Sequence, residues 1–139
     1  PPVTPTPPSA DAVVLVPGVG IGPFALGMTR AAVRGLGEQV RVVNPRMLEV
    51  DSFAIVFDGD EPGGVVNSVQ LQLPRAAGGV RVGSSVLANS ASYEEVISAV
   101  GECAAPVVNL GATVTPCQNG AVKVMRVGPP QEIVLDVSR

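Results

Sequence analysis

The 139 residues contain no histidine and no tryptophan. The first absence removes the commonest general base and the commonest metal ligand. Phe24, Phe53, Phe57 and Tyr93 are the only aromatic residues, too few for a surface that stacks bases or sugars. Lysine occurs once, as Lys123, and the net charge is −3. A nucleic-acid backbone is therefore excluded as a partner. No stretch approaches ~20 uninterrupted apolar residues, so no segment reads as a membrane-spanning helix. What the chain does have is a hydrophobic content of 46%, enough to pack the core of one domain.

Only two cysteines occur, Cys103 and Cys117, enclosing a 15-residue loop. Both lie beside turn signals rather than inside apolar runs, which predicts a disulfide and an oxidising compartment. Residues 1–12 form a proline-rich leader or linker that begins PPVTPTPPSA. Proline fixes φ and favours an extended polyproline chain, the usual character of a spacer. The leader leaves room for a lipid anchor upstream of it.

The remainder, 13–139, reads as a single domain built from an internal repeat of about 18–73 and 79–137. Gly18-Val19-Gly20-Ile21-Gly22 recurs as Gly79-Val80-Arg81-Val82-Gly83. Thr29 to Val33 recurs as Ser92 to Val96, and Leu36-Gly37-Glu38 as Val100-Gly101-Glu102. Val42-Val43-Asn44 recurs as Val107-Val108-Asn109, and Val69 to Leu73 matches Ile133 to Val137. The five matches keep one order at offsets of 61 to 65 residues.

Each copy reads as a glycine-rich extended segment, a capped helix and then strands. Thr29 is the expected N-cap of the first helix, Leu36 the end of its apolar face, and Gly37 a left-handed C-cap. Ser92 and Glu95 form a capping box. Tyr93, Val96, Ile97 and Val100 then share one helical stripe, and Gly101 closes the turn. Phe53, Ile55 and Phe57 alternate with smaller residues, and Val69, Leu71 and Leu73 alternate with Gln70 and Gln72, the period of half-buried strands. Asn119-Gly120 is a strong hairpin signal between strands near 112–118 and 121–127, with Pro116 expected at an edge or a bulge. These elements predict an α+β fold: a duplicated helix-plus-antiparallel-strands unit, with two helices packed on one face of an antiparallel sheet.

The run Leu26-Gly27-Met28-Thr29-Arg30-Ala31-Ala32-Val33, followed by Leu36-Gly37, resembles the helix start of SmpA/BamE-type envelope lipoproteins. It also resembles the repeat of the secreted β-lactamase inhibitor proteins. The resemblance implies a small helix-plus-sheet unit, carried twice in tandem by the inhibitors, and a binding or scaffold role outside the cytoplasm. No functional residue carries over from either family.

Candidate chemistry is sparse. Gly18-Val19-Gly20-Ile21-Gly22-Pro23 places proline where a dinucleotide loop needs its third glycine, and no Lys-Ser/Thr follows. Asp58, Asp60 and Glu61 cluster in a turn and could supply part of a cation site, although the spacing is not that of an EF-hand. An acidic hairpin turn ended by Gly63-Gly64 explains them better. Glu94 and Glu95 suit a helix N-terminus, and Ser84, Ser85, Ser90 and Ser92 have no histidine to activate them. The reading is therefore not an enzyme, with no catalytic residue, metal or cofactor.

The function expected is protein–protein binding, as a scaffold or accessory subunit of the bacterial cell envelope, in the periplasm, at the outer membrane or secreted. Its partner would be another envelope or secreted protein. An inhibitor or immunity-type protein presenting Phe24 or Tyr93 as an anchor is the alternative, and a small hydrolase with an acidic pocket is the third. The expected docking surface is the sheet face away from the helices: Ala54, Val56, Gln70, Gln72, Val134 and Asp136.

Overall fold

The computed structural model describes residues 12–128 and 132–139. Nearly all of the proline-rich leader lies outside that range. In the first half the chain runs through β1 (Val13–Val16), β2 (Gly20–Ile21), β3 (Phe24–Ala25), α1 (Arg30–Leu36), β4 (Val40–Asn44), β5 (Met47–Val50), β6 (Phe53–Phe57) and β7 (Val66–Gln72). After a 3-10 turn at Leu73–Arg75, the second half follows. It comprises β8 (Val80–Val82), β9 (Ser85–Leu87), α2 (Tyr93–Val100), β10 (Val107–Asn109), β11 (Ala112–Cys117), β12 (Val122–Val127) and β13 (Glu132–Ser138).

The strands form two sheets. One has five strands in the order β3-β2-β1-β8-β9, and the other has eight in the order β10-β11-β12-β13-β7-β6-β5-β4. This corrects the α+β expectation. The helices hold only seven and eight residues, and the fold is β-rich. The five-stranded sheet supplies much of what lies against the core face of the large one. Phe24 of β3 meets Phe53 of β6 edge-on at 5.0 Å between ring centres. Leu15, Ile21, Val80 and Val82 of the small sheet share one buried cluster with Ile55, Leu71, Val124 and Leu135 of the large sheet, and with Val33, Val96 and Val100 of the helices.

Strand order in the large sheet reads outward from a central seam. β7 pairs antiparallel with β13, then β6, β5, β4 follow on one side and β12, β11, β10 on the other. Leu71 pairs with Leu135 at the seam. Each half thus supplies, in the same order, strands of the small sheet, a helix and a four-strand meander, with three small-sheet strands from the first half and two from the second. The small sheet joins the halves a second time, where β1 lies parallel to β8 with Val13 beside Val80.

Local rules explain the helix ends, with two exceptions. Thr29 accepts from the Ala32 N–H at 3.2 Å, and Ser92 and Glu95 make the reciprocal capping box. Gly101, expected to close its helix, does so with φ 74° and ψ 167°, a positive-φ conformation that glycine alone adopts readily. Gly37 does not take a positive φ: its value is −105°. Glycine is required there for space, because a Cβ would lie 2.0 Å from Val50 Cγ1. Leu36 is exposed rather than the end of a buried stripe. Pro116 is tolerated because β11 outruns β10; its outer neighbour is Ala104, whose N–H donates to the Pro116 carbonyl at 2.8 Å.

Candidate docking face

The alternation along β6, β7 and β13 sorts their side chains onto two faces of the large sheet. Phe53, Ile55, Phe57, Val69, Leu71, Leu135 and Val137 are buried in the core. Ala54, Val56, Gln70, Gln72 and Val134 are half-buried on the opposite face. Cross-strand register brings them together: Ala54 lies beside Gln70, Gln70 beside Asp136, and Gln72 beside Val134. Five of the six expected surface residues are thus partly open to solvent on one continuous face.

Asp136 is the exception, at 7% exposure. Its carboxylate accepts from Ser68 Oγ at 2.9 Å and from Gln70 Nε2 at 3.2 Å. These bonds compensate the burial of the carboxylate and hold Gln70 in place. Lys123 stands opposite Asp136 in the register, yet its Nζ donates to Ser138 Oγ at 3.4 Å. A polar row therefore runs across the centre of the face, which also carries Gln72 and the Arg41–Glu49 pair among its aliphatic side chains.

Beside that row the face sinks into a depression of about 180 Å³, lined by Met47, Glu49, Ala54, Gln70, Gln72 and Val134 among others. Its one carboxylate, Glu49, is paired with Arg41 at 3.0 Å. A larger cleft of about 450 Å³ adjoins it through Ser52, Phe53 and Arg75 and reaches Val13 and Gly78. Neither brings two carboxylates together, as the hydrolase reading would need.

The acidic turn is tied up internally. Asp58 Oδ1 accepts from the Val65 N–H at 2.9 Å, Asp60 pairs with Arg46 at 2.7 Å, and Glu61 pairs with Arg34 at 3.0 Å. Among the described residues no group of carboxylates converges as a cation would require. Beneath this turn lies a residue to which the sequence pattern gave no role. Arg30 is 6% exposed, with its guanidinium 4.1 Å from the centre of the Phe57 ring. Nε donates to the Gly63 carbonyl at 2.7 Å, and Nη2 donates to those of Pro45 and Gly59 at 2.5 and 2.9 Å. The second half reverses the roles: α2 supplies the aromatic Tyr93, and β12 supplies Arg126, 4.8 Å over its ring.

Neither expected anchor projects into solvent. Phe24 is buried, and the Tyr93 hydroxyl donates to the Val124 carbonyl at 3.0 Å and shares a hydrogen bond with Thr115 Oγ1. Cys103 and Cys117 are bonded, with Cα atoms 3.9 Å apart, tying the chain after α2 to the end of β11. Gln118 reinforces that join by donating to the Val100 and Gly101 carbonyls. No helix among the described residues is long and apolar enough to cross a membrane.

Comparison with protein-family models, curated proteins and solved structures returns no match. The likeness of Leu26–Gly37 to envelope lipoproteins and secreted inhibitors therefore rests on those residues alone.

Proposed function

We propose that this chain is a protein-binding or scaffold protein of the bacterial cell envelope, which docks a partner on the open face of its eight-stranded sheet. The observation that carries the reading is the contrast between the two faces. One is sealed by the core, while the other presents aliphatic and amide side chains around a shallow depression, with Asp136 satisfied by Ser68 and Gln70 and Glu49 paired with Arg41. Its aliphatic part loses little on desolvation, and its amides offer hydrogen bonds to a partner. The disulfide is compatible with a compartment outside the cytoplasm.

Val56→Arg and Gln72→Glu each place a charge on this face without entering the core. With circular dichroism unchanged, both should weaken binding to a partner captured from an envelope extract by at least about tenfold, since a buried unpaired charge opposes docking. Full affinity in both variants would remove the open face from the binding site.

A further inference from the structure

The eight-stranded sheet ends in two edge strands of unlike design. β4 carries Arg41, a register shift between Val42 and Asn44, then Pro45 and Arg46. Charges, irregular register and proline are the usual devices that stop an edge from pairing with another chain. At the other end, β10 has no such charge. From Cys103 to Val122 the sequence holds no acidic or basic residue. Val107 is 57% exposed, Val108 73% and Leu110 100%.

Leu110 and Gly111 form the two-residue turn between β10 and β11, with φ of 51° and 81°. Both angles are positive, the geometry that favours asparagine followed by glycine. A leucine there is unfavourable, and at full exposure its side chain gains nothing from its own chain. In such a hairpin the closing pair, Asn109 with Ala112, exchanges hydrogen bonds, and the next pair does not. Val108 therefore turns its N–H and C=O outward, and no described residue takes them up. Pro106 has no N–H, so Val108 offers the free donor of this edge.

We propose that β10 pairs antiparallel with β10 of a second copy, about a two-fold axis at Val108. The N–H of each Val108 donates to the C=O of the other, which makes the edge complementary to itself. Pro106 and Leu110 stand two residues on either side of Val108, so the axis sets Leu110 of one copy opposite Pro106 of the other. Pro106 lines a mainly apolar groove of about 390 Å³ with Tyr93, Ile97, Cys103 and Ala104, and Glu94 is its one charged wall. Leu110 lies in the turn at the end of β10 and is fully exposed, so the antiparallel register brings it to the partner's Pro106 and the groove beside that residue. An unrelated extended peptide would find one backbone donor and leave Leu110 exposed. The second copy uses both features, and the uncharged strip avoids repulsion between two chains of net charge −3.

This inference is independent of the docking face, and its test is sedimentation velocity of the purified chain from about 1 to 500 µM, the range suited to an interface at the small end of stable dimers. The weight-average mass should rise toward that of a dimer. Leu110→Asn puts a residue favoured by the turn in place of the apolar knob, so the hairpin should fold at least as well while dimerisation weakens by tenfold or more. Val108→Pro removes the donor and should leave a monomer. Arg41→Ala at the opposite edge, and Val56→Arg on the open face, should leave the dimer unchanged. A monomer throughout the range overturns the proposal, as does a dimer equally strong in Leu110→Asn and Val108→Pro.

Discussion

Replacing Arg30 by methionine tests whether the buried guanidinium holds the first half together. A surface arginine in the first turn of a helix would change stability by no more than about 0.5 kcal/mol. Arg30 instead ties three carbonyls from two loops beneath the acidic turn. Methionine keeps much of the packing on Phe57 and relieves the cost of burying a charge. That cost is real here, because Nη1 is buried without a protein partner. Against this stand the lost cation–π contact, about 1–2 kcal/mol, and the carbonyls left behind. Pro45 and Gly63 are exposed, so water can serve them, while the half-buried Gly59 carbonyl loses its donor at about 1–3 kcal/mol. These losses come to about 2–5 kcal/mol, and relief of the buried charge offsets part of them, leaving a destabilisation of about 2–4 kcal/mol, read by urea unfolding followed by far-ultraviolet circular dichroism. Arg30→Lys separates charge from shape: a single ammonium cannot reproduce the fork, so it should lose nearly as much. If either variant unfolds within about 0.5 kcal/mol of the parent, the fork is not what secures these loops.

Reduction of Cys103–Cys117 should lower stability by about 2–4 kcal/mol, as expected for a loop of this size, and titration of the unfolded, unreduced chain should find no free thiol. Hydrogen bonds from the Ser92 backbone and side chain hold the Glu95 carboxyl below its ordinary value. A lowered folded-state pKa contributes stability above the unfolded value and loses it as pH falls through the folded one. Amide protection in α2 should therefore weaken in acid, and Glu95→Gln, which keeps a capping side chain without a titrating group, should flatten that dependence. A carbon-13 titration of Glu95 at its ordinary pKa would contradict the capping assignment.

Half-buried strands announced themselves because their alternation is local. Phe53 to Phe57 and Val69 to Leu73 display the period that sorts side chains between core and open face, and their placement follows from it. The β-rich character was hidden by the brevity of its parts. β2 and β3 have two residues each, too short for any period, and β8 lies beside β1 across nearly half the chain. Helices of seven and eight residues carry cap signals as clear as those of long ones, so the helix contribution looked larger than it is. Asp136 was placed on the correct face, but its burial depends on Ser68 and Gln70, 68 and 66 residues away. Arg30 carried no local signal for the same reason, since its partners come from other loops. Leu110 escaped notice because its dipeptide lacks the asparagine-glycine order that marks such turns.

The central seam has a consequence for the chain as the ribosome makes it. β13 follows every other strand described, yet it fills the middle of the large sheet rather than its rim. Once β7 has left the tunnel, about 64 residues separate it from its mate, roughly 3–13 s at about 5–20 residues per second. Throughout that interval the nascent first meander carries a bare edge along Ser68 to Gln72, backed by Val69 and Leu71 with their cover incomplete. A holdase that recognises unpaired strands, or the slow arrival of non-local partners, would govern the yield of this protein more than the strength of its finished core.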